Sequence, residues 1–192
     1  MNERDRLKAL LVERSVRLGD FTLASGARSA YYVDARRTTM SAEGQVLTGK
    51  VCWEVLRASG HDVSNVGGLT MGADPVSYAI AAESFRQGHP LDGFSVRKQA
   101  KEHGTGQRVE GGLPKGSRCL VIEDSMTSGG SALKAIEALE EYGVECVAIL
   151  TLVDREEGGR ERVEAAGYPL IAVYTGPELL EAARASGLQP ES

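Results

Sequence analysis

Downstream of Gly60 the chain carries five short apolar runs, "VSNVGG", "LDGFSV", "SRCLVIED", "ECVAILTLVD" and "PLIAVYTG". Each is bounded by turn-forming residues, and stretches of helical pattern such as Pro75–Arg86 and Ala132–Tyr142 separate them. This alternation predicts an α/β fold, a parallel sheet with helices on both faces, because parallel neighbours need a crossover and strands buried on both sides read as continuous apolar runs. In such sheets ligands bind beyond the carboxyl ends of the strands. The chemistry is therefore expected at Gly67–Asp74, Arg97–Gly112, Glu123–Ser131 and Asp154–Glu157. Gln99–Lys115 is the longest predicted loop, a length that usually marks a lid or a loose tip.

The first sixty residues have a different rhythm. Leu7, Leu10, Leu11 and Leu18 recur at helical spacing and predict a helix ending near Gly19. Two extended pieces follow, "DFTLASG" and "SAYYVDAR". Ser41 is placed to cap a second helix with Leu47, Val51 and Val55 on one face, and Gly60 to close it. Trp53 in that helix reads as core packing, and the helix around Leu179, Leu180 and Ala183 as packing on the sheet or on a partner subunit.

With 192 residues, 42% of them apolar and 26% charged, the chain has the size and composition of one soluble globular domain. A net charge of -5 argues against a general nucleic-acid surface, which draws on an excess of Lys and Arg. Cys52, Cys119 and Cys146 are isolated in apolar surroundings and read as buried thiols of a reducing compartment. There is neither a signal-like amino terminus nor an apolar run approaching the ~18 residues of a membrane span. A cytoplasmic protein with no membrane partner is expected.

The run from Leu120 leads into "EDSMTSGGSALKAI". Thr127, Ser128, Gly129, Gly130 and Ser131 sit between a strand and a helix, where free backbone N–H groups and the helix dipole favour a phosphate. The stretch is neither GxxxxGK[ST] nor GxGxxG. Glu123 and Asp124 would repel a phosphate lying on them, so they are expected to face the hydroxyls of a sugar whose phosphate fills the turn, as in a ribose 5-phosphate. The competing reading is a pair of strand-end surface acids before an ordinary helix cap. In "VRKQAKEHGTGQRVEGG", Arg97, Lys98, Lys101 and His103 gather four potential cations in one loop, suited to a pyrophosphate or simply solvated.

"VIEDSMTSGGSAL" resembles the phosphoribosyl pyrophosphate signature of type I phosphoribosyltransferases. "RKQAKEHGTG" is similar to the mobile loop of orotate phosphoribosyltransferases, "FTLASGARSAYYVDAR" to their amino-terminal "TLxSGxxSxYYxD" segment, and "VGGLTMGADP" to a pyrophosphate-contacting loop in one branch of that family. With "LVDREEG", these segments run in family order from about Phe21 to Gly158. The resemblance implies the type I phosphoribosyltransferase fold as a single domain over 1–192, with a small amino-terminal hood within 1–40 and a mobile lid over 97–112. It implies transfer of a phosphoribosyl group from 5-phosphoribosyl 1-pyrophosphate to orotate, giving orotidine 5-phosphate and pyrophosphate in pyrimidine synthesis.

Residue by residue, the resemblance assigns Ser125, Met126 and Thr127–Ser131 to the donor, with Thr127 also near the base, and Glu123 and Asp124 to the ribose hydroxyls, directly or through Mg2+ and water. Mg2+ would be held by the donor, with no direct protein ligand. Arg97, Lys98, Lys101 and His103 would close over the pyrophosphate, commonly in the neighbouring subunit's site, which implies a homodimer. Arg155 would pair with the orotate carboxylate, and Tyr32 and Val33 would lie beside the base. Catalysis would fall to Lys101, His103, Glu123 and Asp124. Many family members have lysine where this chain has Ala24 and Met71, so the lid cations or the Leu69–Gly72 backbone would have to compensate. Whether the Leu69–Thr70 peptide is cis is left open. A purine or uracil phosphoribosyltransferase would share the phosphate loop but not the lid and Arg155. A non-catalytic regulator would need a nucleic-acid surface, and a Rossmann dehydrogenase a glycine fingerprint, and the sequence has neither.

Overall fold

The computed structural model describes residues 1–22, 28–99 and 107–190. Ala24, Lys101 and His103, and the sites assigned to them, lie outside the described residues.

Helix α1 (Glu3–Arg14) opens on Asn2, whose side chain accepts the Asp5 N–H at 2.7 Å. It ends four residues before Leu18, which lies on strand β1 (Val16–Thr22). The predicted helix was too long because leucine spacing continued across the break while the backbone turned to pair with β2 (Arg28–Val33), Leu18 facing Tyr31. β1 and β2 form an antiparallel two-stranded sheet. A short helix α2 (Arg36–Thr39) follows, then α3 (Ala42–Ser59), capped by Ser41 and closed by Gly60 in the left-handed region as predicted.

The main sheet is built from β3 (Asn65–Leu69), β4 (Asp92–Val96), β5 (Val109–Gly111), β6 (Arg118–Met126), β7 (Glu145–Asp154) and β8 (Leu170–Thr175). Between them run α4 (Ala73–Arg86), α5 (Gly130–Tyr142) and α6 (Gly159–Ala165), and α7 (Gly176–Ala185) follows β8. The strand order is β5-β4-β3-β6-β7-β8, parallel except for β5. That antiparallel edge strand lies inside the predicted loop Gln99–Lys115; three residues are too short for a periodic signal, and pairing with β4 supplies the order.

Successive residues of β6 feed two cores: Leu120 and Ile122 join α1, α3, α4 and α7 on one face, while Cys119 and Val121 join α5 and α6 on the other. All four are at most 1% exposed. Burying each leucine or isoleucine side chain stabilises the fold by about 1.5–3 kcal/mol, which ranks this strand among the last to open. Trp53 is core, as expected, 5.5 Å from the Arg57 guanidinium and 6.3 Å from the His89 ring. Cys52 and Cys119 are buried, whereas Cys146, near the start of β7, is partly exposed, because β7 is paired there with β6 alone and β8 joins only from Ile149. Among the described residues no helix is long and apolar enough to cross a membrane.

Candidate active site

The carboxyl ends of β3, β6 and β7 and the β1–β2 sheet enclose a cavity of about 1160 Å³. From β3 come Leu69–Ala73, from β6 and its loop Glu123–Ser125, Thr127, Ser128 and Ser131, and from β7 Arg155 and Glu157. Phe21, Thr22, Tyr32, Val33, Asp34 and Arg36 cover it from the amino-terminal side, and Lys98 reaches it from the end of β4. The cavity thus lies where strand order places ligands in a parallel sheet.

The loop after β6 depends on one backbone conformation. Gly129 has φ +69°, and a Cβ there would stand 2.7 Å from Val163 Cγ1, so the chain turns tightly against α6 before α5 begins. α5 thus begins at the cavity edge, beside the lining residues Thr127, Ser128 and Ser131, where the first turn of a helix favours an anion. Met126 differs from its neighbours: its side chain is fully buried in the core beneath the loop, and its carbonyl accepts the Arg155 N–H at 2.9 Å. It packs in the core under α5 and α6 and does not line the cavity.

Glu123 and Asp124 are adjacent on β6 and therefore leave opposite faces of the strand. Glu123 is 9% exposed, and its Oε2 is buried without a hydrogen-bond partner. Burial, then the charge of Asp124, pushes its carboxyl up to about 8, against the pull of the Ala132 N–H and the Ser131 hydroxyl. Burial also raises Asp124, opposed by the N–H groups of Ser125 and Asp124 and by the Arg36 guanidinium. Asp124 lies against β3's end: a Cβ on Gly72 would sit 2.3 Å from Asp124 Oδ1, so only glycine permits that approach. Beside it, the cis peptide bond is Thr70–Met71 and not Leu69–Thr70. Met71 is 60% exposed at the cavity edge.

At the β7 end Arg155 is 3% exposed. Its guanidinium lies 4.2 Å from the Tyr31 ring centroid, donates to Tyr31 O at 3.3 Å and Ser29 Oγ at 3.4 Å, and pairs with Glu157 Oε1 at 2.8 Å. Its Nε is buried with no partner. Asp154, 1% exposed, fixes the turn that presents Arg155, accepting from Glu156 N at 2.9 Å and from Arg160 Nε at 3.0 Å. Glu157, Asp154 and Arg160 were not picked out as individual site residues from sequence, and neither were Asp34 and Arg36. Their partners become visible only when separate strand ends meet.

The remaining expected residues divide. Tyr32, 41% exposed, and Val33, buried, both border the cavity, with Phe21 packed on Tyr32 at 5.9 Å between ring centroids. Lys98 borders it, but Arg97 is turned away and pairs with Glu110 of β5 at 2.7 Å. β5, which the sequence reading placed in a loop, supplies that partner, and Arg97 is not among the residues lining the cavity.

The chain that builds this cavity has relatives among known proteins. Residues 63–167 match the Phosphoribosyl transferase domain family. The orotate phosphoribosyltransferase of Aquifex aeolicus is 45% identical over 183 residues, 94% of this chain and 99% of the relative. The chain belongs to the orotate phosphoribosyltransferase family. Crystal structures of the Mycobacterium tuberculosis member of that family agree. One in complex with Fe(III) dicitrate has a TM-score of 0.80 at 42% identity, covering 93% of this chain and 99% of that one. Another, in complex with 5-phospho-α-D-ribosyl 1-diphosphate, has a TM-score of 0.77 at 38% identity with the same coverage. The fold is the type I phosphoribosyltransferase fold, a mostly parallel sheet flanked by helices.

Proposed function

We propose that the chain transfers the phosphoribosyl group of 5-phosphoribosyl 1-pyrophosphate to orotate, giving orotidine 5-phosphate and pyrophosphate, with the residues of this cavity in the following roles. One observation carries the reading: a single cavity runs from β3's end, across the phosphate loop, to a buried arginine at the end of β7. The loop Thr127–Ser131 holds the 5-phosphate, and Glu123 and Asp124 face the ribose. Arg155 receives the orotate carboxylate, for which its planar fork and its unpartnered Nε are suited. Tyr32 and Val33 flank the base.

Breaking the bond at the anomeric carbon develops positive charge on the sugar, and the carboxylate of Asp124 stabilises it. Orotate arrives as an anion, so the protein need not supply a strong base. The carboxylate of Asp124 also suits a divalent cation held by the donor and reached through water. Glu123 Oε2 has no hydrogen-bond partner and would accept from such a water, since Mg2+ brought by phosphate oxygens retains several waters. Bound there, Mg2+ would neutralise charge on the leaving pyrophosphate. A homodimer belongs to the same proposal: the packed helices α3 and α4 leave Val46, Tyr78 and Phe85 at 51, 51 and 74% exposure, apolar area that a second copy would cover. The thiols of Cys52, Cys119 and Cys146 are free, as in a reducing cytoplasm.

The test is to incubate the purified protein with orotate, 5-phosphoribosyl 1-pyrophosphate and Mg2+ and to follow loss of orotate absorbance, with uracil as the control. Consumption of orotate and not of uracil is expected. Equal consumption of both bases, or of neither, overturns the reading.

A further inference from the structure

Within the cavity the cations among the described residues are Arg36, Lys98 and Arg155. Arg155 is committed to the β7 end by Glu157 and Tyr31. Arg36 stands at the opposite side, on α2, and is held there through its Nε, which donates to Asp34 Oδ1 at 2.8 Å. That is the hydrogen bond its guanidinium makes among the described residues, so both terminal nitrogens remain available as a fork. The platform beneath it is fixed: Thr38 is fully buried, its hydroxyl 2.7 Å from Ser15 Oγ and donating to Leu10 O at 3.2 Å. The side chains of Arg36 and Asp34 are 44 and 25% exposed, and an ion pair that open adds little to folding stability. The pair therefore leaves Arg36 open to a use other than holding the fold.

Its surroundings indicate that use. Arg36 acts electrostatically on Asp124, and Asp124 in turn touches β3's end at Gly72. On the reading proposed above, with the 5-phosphate in the β6 loop and Asp124 at the ribose hydroxyls, the substituent on the anomeric carbon projects to this side of the cavity. That substituent is a pyrophosphate, whose oxygens a guanidinium fork matches in pairs. We propose that Arg36, oriented by Asp34, is a binding residue for the pyrophosphate of the donor and of the product. Lys98, a compact cation on a flexible stem, adds charge but not that planar geometry.

The experiment compares wild type with Arg36→Gln and Arg36→Lys, measuring the KM for 5-phosphoribosyl 1-pyrophosphate, the KM for orotate and the inhibition constant of inorganic pyrophosphate. In Arg36→Gln the donor KM and the pyrophosphate constant are expected to rise together by about tenfold, and orotate KM to stay within about twofold, with partial recovery in Arg36→Lys. Because the side chain is exposed, the melting temperature should barely move, which separates binding from folding. An unchanged pyrophosphate constant in Arg36→Gln overturns the proposal, as does a displaced pH profile with unchanged pyrophosphate affinity, which would mean that Arg36 serves Asp124 alone. If the wild type consumes no orotate, calorimetric binding of inorganic pyrophosphate with Mg2+ still decides: loss of binding in Arg36→Gln supports the assignment independently of the acceptor, and retention overturns it.

Discussion

The two ends of the cavity use the same chemical unit, an arginine beside a carboxylate, in opposite environments. At the β7 end the Arg155 side chain is 1% exposed and its partner Glu157 25% exposed; at the α2 end Arg36 is 44% exposed and Asp34 25%. Burial holds the first pair in place, because taking the carboxylate from a desolvated guanidinium leaves a charge uncompensated. Exposure leaves the second pair screened by water and salt, and free to exchange one anion for another. A site that must discriminate a planar base and also release a charged product has reason to differ in this way at its two ends.

The comparison is broken most forcefully at Arg155. Arg155→Lys keeps the charge but loses the fork, and kcat/KM for orotate is expected to fall by about a hundredfold with donor KM nearly unchanged, checked by steady-state kinetics with each substrate varied. A comparable loss on the donor side would mean that the ends are not separate.

Glu123 lies between the two ends and tests burial by pH. Its folded value, about 8, is above the ordinary carboxylate value of 4.5, so its neutral form favours folding below pH 4.5, and that contribution disappears as pH rises through 8. Wild type should therefore lose stability relative to Glu123→Gln across that window, by up to a few kcal/mol, in denaturant titrations at several pH values. A constant difference between the two proteins would show that Glu123 is not desolvated.

Smaller effects sharpen the contrast. If Arg155 receives the orotate carboxylate as proposed, Glu157→Gln removes its competitor, so orotate KM should fall by about threefold while stability drops by about 1–2 kcal/mol, read from KM and thermal melting together. Asp34→Asn should leave melting unchanged and raise donor KM by about twofold, the cost of a less oriented Arg36, and the increase should shrink at high salt.

How much of this was legible beforehand depended on how local the signal was. Ser41 and Gly60 cap α3 as read, since a cap is a matter of adjacent residues. That Glu123–Ser131 spans a strand end and a helix start at the cavity was likewise legible, because the junction is a contiguous string. By contrast, α1 was overextended to Gly19, and β5 was hidden in a predicted loop, because pairing with a strand distant in the chain decided both.

The sequence by itself determined the layered α/β plan, the end of the sheet that carries the site and the residue types available there, since periodicity and turn chemistry act over a few residues. Only the tertiary structure decided which charges meet: that Arg155 is held by Glu157 and by Tyr31, over a hundred positions away, that Arg97 faces Glu110, and that Arg36 shares a cavity with Asp124. The reason is physical. Desolvation and Coulomb attraction depend on separation in space, and where the strand ends converge is a property of the packed sheet and not of any segment alone.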